Sequence, residues 1–286
     1  SPSDTGTIYS AEMAGVDPVI YWSHYQVPIV ALAFVVVGAL HYFTQKYMDK
    51  KEGHIVQPME VEKVQDESDN APLWYAILPV IPLSLILSFS SLWITSIKMN
   101  IVMAMFIGLF VGVCCEFIRW RDGKKVFDDI QTFFDGLGMQ MANVITLIVA
   151  GQTFAQGLIS MGAISTLIDG SKDLGFPPMA MMLVMVAIIS MSAIVMGSGN
   201  APFFAFASLT PAVAAHSGLH PVLMLLPMHF AASIMRNCSP ITAVIVVSSG
   251  MGGVSSFDLI KRTAIPMAGA MLCNVGMTFF YYYTNW

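Results

Sequence analysis

Three short polar stretches interrupt otherwise apolar sequence, and their residue types point to one kind of chemistry. They are Gly197-Ser198-Gly199-Asn200-Ala201-Pro202, Arg236-Asn237-Cys238-Ser239-Pro240 with Thr242 just beyond, and Ser1-Pro2 followed by Asp4 and Thr5. A Ser ahead of a Pro suits a helix start: the hydroxyl accepts from orphan backbone N–H groups, and Pro occupies a position that needs no N–H. Helix starts present free N–H groups and the positive end of the helix dipole, so they attract anions. In the first stretch the glycines beside Ser198 admit close backbone approach, and Asn200 precedes an arm starting around Pro202. Three such ends converging at membrane depth suit a small anion with more than one carboxylate. Asn237, Thr242 and Ser248 could line the cavity or give oxygen ligands to a coupling cation. Arg236 has two readings, a partner for a substrate carboxylate or a cation offsetting the negative end of the preceding half-helix. His229, one helical face from the second break, either carries a proton or is a hydrogen-bonded structural residue. Gln152, Gln156 and the 22 methionines read as packing.

These breaks need a membrane around them. Of 286 residues, 56% are hydrophobic and 11% charged, against about a quarter charged in an ordinary soluble domain. Several apolar runs reach the roughly 20 residues that cross a bilayer core as a helix. The fold class is therefore all-α and polytopic, and polar sequence at membrane depth must be buried in protein or line a cavity. Residues 1–43 hold a broken helix and a following span, Val27 to Phe43; 44–72 is a charged cytoplasmic linker; 73–118 holds two scaffold spans. Residues 119–140 alternate apolar Val126, Ile130, Phe133 and Phe134 with charge, as an arm helix lying along the interface does. Residues 141–286 hold a further span and then a hairpin, 179–215, which fits a re-entrant loop as well as two spans. A discontinuous helix, 221–250, and a final span with an aromatic end follow.

The bases agree with this topology. The linker carries four, Arg119 to Lys125 four more, and Lys261 and Arg262 fall on the same, cytoplasmic side; Lys98 and Lys172 lie outside. A net charge of −5 without a basic tract argues against nucleic acid. Four cysteines show neither metal-ligand spacing nor a disulfide framework, so no metal or cofactor is expected. The Ser1-Pro2 start, without Met or leader, reads as the beginning of a piece of a longer protein, which is not expected to function alone.

The chain also repeats itself. At an offset of 238 residues, Ser1, Pro2, Ser10, Met13, Gly15, Val16 and Pro28 meet Ser239, Pro240, Ser248, Met251, Gly253, Val254 and Pro266. Each copy is followed by one span, and the topology runs the copies in opposite directions. They read as inverted repeats, a mark of many transporters.

On three motifs the sequence resembles the anaerobic four-carbon dicarboxylate carriers of the DcuC family, within the ion transporter superfamily. The motifs are Met196 to Phe206, the run Val149-Ala150-Gly151-Gln152-Thr153-Phe154-Ala155-Gln156-Gly157-Leu158, and Arg236 to Pro240. The resemblance implies inverted repeats with a re-entrant hairpin and a broken helix, an interfacial arm, and dimeric, elevator-type transport in the bacterial inner membrane. It implies fumarate, malate and succinate as substrates, bound by residues 197–202 and 237–242, with Ser1, Pro2, Asp4 and Thr5 as the first-repeat counterpart. The superfamily's sodium-binding Ser-Asn-Thr reads Ser198-Gly199-Asn200 here, which leaves proton coupling or exchange at least as well supported as sodium.

Other readings stand beside this one. A cation/proton antiporter needs a mid-membrane carboxylate, for which Asp4 is the visible candidate. A basic amino-acid exchanger also has a carboxylate to present to a helix start. An intramembrane serine hydrolase would pair Ser198 or Ser239 with His229, but the repeat accounts better for Ser239, and no enzyme is expected.

Overall fold

The computed structural model describes residue 2 and residues 4–52, 72–89, 99–162, 166, 169–170 and 177–285, and among them every regular element is helical. The chain divides into two compact units, Ser1–Lys51 with Met141–Trp286, and Glu52–Gln140.

In the first unit, α1 (Thr5–Ala14) stops at Gly15, whose φ of 68° places it in the left-handed region. Asp17 then starts α2 (Pro18–Ile20) by accepting from the N–H groups of Val19 and Ile20, and a π-helical turn, Tyr21–Gln26, leads into α3 (Val27–Glu52). The helix does not end with the apolar run at Phe43. Gln45 and Asp49, on its polar continuation, both accept from the Arg262 guanidinium at 2.6 Å.

The second unit holds a 3-10 turn, Leu73–Ile77, then α4 (Val80–Ser88), α5 (Ile101–Trp120) and α6 (Gly123–Gln140). Asn100 caps α5 by accepting from the N–H of Val102 at 3.1 Å. At the other end of α5 the Arg119 guanidinium lies 5.5 Å from the Tyr75 ring and 4.5 Å from that of Trp120. Lys125 lies 3.0 Å over the same indole. Such mixed aromatic and basic clusters suit a membrane–water interface. α6 buries Val126 but exposes Phe127, Phe134 and Leu137.

The first unit resumes with a π-helical turn, Met141–Ile145, followed by α7 (Thr146–Ser160), α8 (Pro178–Met196), α9 (Asn200–Ala207) and α10 (Thr210–Ser217). Then come α11 (Val222–Met235), a 3-10 turn Arg236–Cys238, α12 (Ala243–Met251) and α13 (Ser256–Asn285). The expected spans Leu73 to Trp93 and Met141 to Ile168 fall partly outside the described residues. The core is built on α11, buried without a gap from Val222 to Met228 and packed against α8, α13, α1, α9 and α10. Within this core the fully buried Asn274 donates its amide to the Pro227 carbonyl at 3.0 Å, tying α13 to α11 at a proline inside the helix. Among the described residues five helices are long and apolar enough to cross a membrane, Pro18–Lys51, Ile101–Trp120, Met179–Met196, Val222–Met251 and Ser256–Tyr281.

Two stretches 238 residues apart are built alike (Asp4 to Gly15, Thr242 to Gly253). Asp4 and Thr242 are the respective N-caps, and their carbonyls accept from Ile8 and Val246. At the far end the N–H of Gly15 meets the Glu12 carbonyl and that of Val16 the Ala11 carbonyl; Gly253 with Gly250 and Val254 with Ser249 repeat the pair. Gly15 and Gly253 are both left-handed, at φ 68° and 60°. The next helices start at Pro18 and Ser256, again in register. The long helices that follow lie antiparallel: Arg262 bonds Asp49 near one end, Gly269 meets Leu40 midway, and the Tyr281 hydroxyl donates to the His24 carbonyl at the other end, 2.9 Å away.

Candidate functional site

The hairpin tip and the helix break form one piece of structure. α8 ends at Gly197 with φ 66°, and a β-carbon there would stand 2.7 Å from Ile241 Cγ1. Gly199 lies directly against the carbonyl of Ala232, in α11, where no side chain fits. The Thr242 hydroxyl is 3.1 Å from the Gly197 carbonyl and 2.6 Å from that of Arg236, so one donor serves the ends of both incoming helices. Glycine at 197 and 199 is thus what brings the tip onto the break.

The helix starts differ in detail from the sequence expectation. α9 begins at Asn200, with Gly199 as its cap, so Asn200 is its first residue and not its cap. α12 begins after Thr242 and not at Ser239-Pro240. The reason is local. Ser239 is fully buried, with its hydroxyl 3.4 Å from the N–H of Ile241, and this turn competes with helix initiation. Neither Gly199 nor Thr242 offers a side-chain acceptor to its helix, so the first-turn N–H groups of α9 and α12 are uncapped by side chains. Asn200 is exposed, Ser198 and Ala201 are half-buried and Pro202 is buried. Arg236 is exposed beside the break, and its guanidinium has no hydrogen-bond or ion-pair partner among the described residues. Pro240 is half-buried between Ser239 and Ile241.

Asn237 turns elsewhere. Its amide donates to the Ser233 carbonyl at 3.0 Å, and it lines a cavity of about 430 Å³ between α3, α11 and α13 with Ser233, Asn274, Phe34 and Phe230. That cavity is almost wholly apolar and lies on the 230/233/234/237 face of α11, whereas the tip meets the helix at Ala232, on a different face.

Ser1 lies outside the described residues; Pro2 is buried in a turn, and Asp4 and Thr5 are exposed. The structure brings this segment to α11 ahead of the break. Tyr9 packs edge-on against Phe203 and Phe204 of α9, with centroids 6.4 and 5.3 Å apart. The Asp4 carboxylate accepts from the N–H of Thr7 at 3.0 Å, so it fills the positive end of α1, and it lies 3.3 Å from His229 Nε2. His229 precedes Arg236 by two turns, about 10 Å along the helix. Gln26 and Thr7, which no spacing singles out, complete this contact: Gln26 Nε2 is 3.2 Å from His229 Nδ1, and the Thr7 hydroxyl donates to Gln26 Oε1 at 3.0 Å. The hydroxyl of Ser208, where the return arm breaks between α9 and α10, donates to the Gly151 carbonyl at 3.1 Å and so ties the arm to α7.

Known proteins share this sequence pattern. The family of C4-dicarboxylate anaerobic carriers, DcuC, matches residues 2–283. The chain is 33% identical over 268 residues to the probable anaerobic C4-dicarboxylate transporter DcuC of Vibrio cholerae, covering 93% of this chain and 58% of that protein. It is 33% identical over 267 residues to the anaerobic C4-dicarboxylate transporter DcuC of Escherichia coli K12, covering 93% and 57%. An uncharacterized transporter of Haemophilus influenzae is 29% identical over 289 residues, covering 95% of this chain and 97% of its own length. The chain thus spans 57–58% of the first two relatives. No solved structure matches. The relatives are named as transporters and not as enzymes, and with five helices among the described residues long and apolar enough to cross a membrane this is a multi-pass protein of the bacterial inner membrane. The chain belongs to the DcuC family of C4-dicarboxylate anaerobic carriers.

Proposed function

We propose that the protein is a secondary transporter of four-carbon dicarboxylates, fumarate, malate and succinate, working by exchange or by proton-coupled uptake and efflux. The observation that carries the reading is the hairpin tip bonded to the break through Thr242 and Gly197, with two side-chain-free helix starts and Arg236 alongside. Two positive helix ends and a guanidinium suit two carboxylates. In this reading residues 197–202 with Arg236, Ser239, Pro240 and Thr242 bind substrate, Asn237 on the neighbouring face supports the break through its bond to Ser233, and the segment from Ser1 through Pro2, Asp4 and Thr5 contributes from the first repeat. The matched caps at Asp4–Gly15 and Thr242–Gly253, followed by antiparallel helices, support inverted repeats. Elevator-type alternating access in a homodimer fits the family, with α6 as the interfacial arm.

The test is labelled succinate exit from proteoliposomes containing the full-length protein. External fumarate or malate should accelerate exit, and Asn200→Ala and Ser239→Ala should each abolish the acceleration. A cation/proton antiporter is favoured by one observation, the half-exposed Asp4 carboxylate beside α11. Movement of sodium or of arginine without dicarboxylate would replace the substrate assignment with that antiporter or with a basic amino-acid exchanger.

A further inference from the structure

The cluster of Asp4, Thr7, Gln26 and His229 has a hydrogen-bond logic that its distances expose. Three elements contribute to it: α1, the π-helical turn before α3, and α11. π-Helical turns are often found at functional positions. Both nitrogens of the His229 ring are engaged, Nε2 at 3.3 Å from Asp4 Oδ2 and Nδ1 at 3.2 Å from Gln26 Nε2. With the Gln26 oxygen facing the Thr7 hydroxyl, its NH2 group donates to Nδ1, which must then be unprotonated; Nε2 carries the hydrogen and donates to Asp4. The imidazole is neutral in this arrangement.

A second arrangement satisfies every group equally. If Nδ1 gains a proton, the Gln26 amide turns over and accepts with its oxygen. Its NH2 group then donates to the Thr7 hydroxyl, whose own hydrogen swings to Asp4 Oδ2, 3.3 Å away. No hydrogen bond is lost between the two states. One proton, taken from a hydronium ion that leaves as water, ends on Nδ1, and Asp4 stays a carboxylate throughout. The net charge of the cluster changes from negative to zero.

That change bears on anion binding. α11 runs from His229 to the break, Phe203 of the return arm lies 5.0 Å from the imidazole, and the Gly6 backbone is pressed against the same ring. With His229 neutral, the Asp4 charge faces an anion site along one helix; with His229 protonated, that charge is balanced. Other titratable groups are few. α8 and α9 carry none, and α10 carries His216 in its last turn. The 3-10 turn after α11 carries Arg236 and Cys238, α1 carries Tyr9 and Glu12, and the π-helical turn carries Tyr21, His24 and Tyr25. α13 carries Asp258, Lys261 and Arg262 at its start, Cys273 midway and Tyr281 near its end. None of these is bonded to the His229 ring.

We infer that His229, held between Asp4 and the reversible amide of Gln26, is the proton-binding group of the transporter, so that one proton and one dicarboxylate dianion bind with mutual reinforcement. This rests on the transport reading above, and by linkage each ligand raises affinity for the other. The Asp4 side chain is 48% exposed and that of His229 14%, so the pair opens to water on the carboxylate side.

The experiment uses the full-length protein in proteoliposomes with the membrane potential clamped. Succinate–succinate exchange is measured beside accumulation driven by a gradient of about one pH unit, which supports about tenfold accumulation per coupled proton. In the wild type accumulation should reach that level, and in His229→Gln the ratio of accumulation to exchange should fall by about tenfold. Gln26→Leu, which removes the amide but not the imidazole, should move the pH midpoint of accumulation. Should a variant fail to transport, histidine NMR titration of the wild type in nanodiscs still decides: the His229 ring and the Gln26 side-chain amide should shift together through one transition. Full accumulation in His229→Gln, or a Gln26 amide that ignores the titration, overturns the inference. A wild type that moves no dicarboxylate would instead sink the transport reading, while the NMR titration would still judge the proton site.

Discussion

The half-helices Asp4–Gly15 and Thr242–Gly253 share a frame and differ at one end. Both close on a left-handed glycine with the same pair of backbone bonds, and both open on a capping residue in extended conformation. Asp4 places a carboxylate on its own helix start and reaches His229. Thr242 leaves its helix start bare and turns its hydroxyl to the carbonyls of Gly197 and Arg236. The carbonyl and glycine geometry keeps the two halves alike, while the capping side chain decides whether a helix end is already neutralised or open to an anion.

Exchanging that side chain should produce the largest effect. Thr242→Asp gives the second half-helix the first one's carboxylate and should weaken succinate binding about 30-fold, the roughly 2 kcal/mol a partly buried helix end offers an anion. Isothermal titration or substrate-protection assays would read it, and unchanged affinity would mean that α12 does not hold substrate. Next come the shared glycines. Gly15→Ala and Gly253→Ala meet no neighbouring atoms, so each should cost only the left-handed backbone, about 1–2 kcal/mol. Thermal unfolding in nanodiscs should show equal losses, and unequal ones would break the structural equivalence. The smallest effect belongs to Asp4→Asn. Asn caps a helix as well as Asp does, so apparent stability should change by about 0.5 kcal/mol or less, whereas Asp4→Ala should lose about 1 kcal/mol.

Much of this was legible in the sequence for a physical reason. The Gly positions of the repeat are backbone-determining residues, so identity at Gly15 and Gly253 carried over into matching left-handed turns. The caps were less legible because Ser239 spends its hydroxyl on a turn two residues long, which moves the helix start to Thr242. The end of α3 was illegible for another reason. Its polar stretch past Phe43 looks like a linker until Arg262, more than two hundred residues away in sequence, supplies the partner for Gln45 and Asp49. The pairing of Asp4 and Gln26 with His229 is likewise a long-range contact with no local period to announce it.

The antiparallel contact of α3 and α13 has a mechanical consequence. Fastened by Arg262 to Asp49 at one end and by Tyr281 to His24 at the other, the two helices form a strut that resists lengthwise sliding. The half-helices α1 and α12 attach to opposite ends of that strut, through Gly15 to Asp17 and through Gly252 to Ser255. Any displacement of the strut across the bilayer therefore carries both half-helices by the same distance in the same direction, and relative motion between them must be taken up in those two short glycine-containing joints.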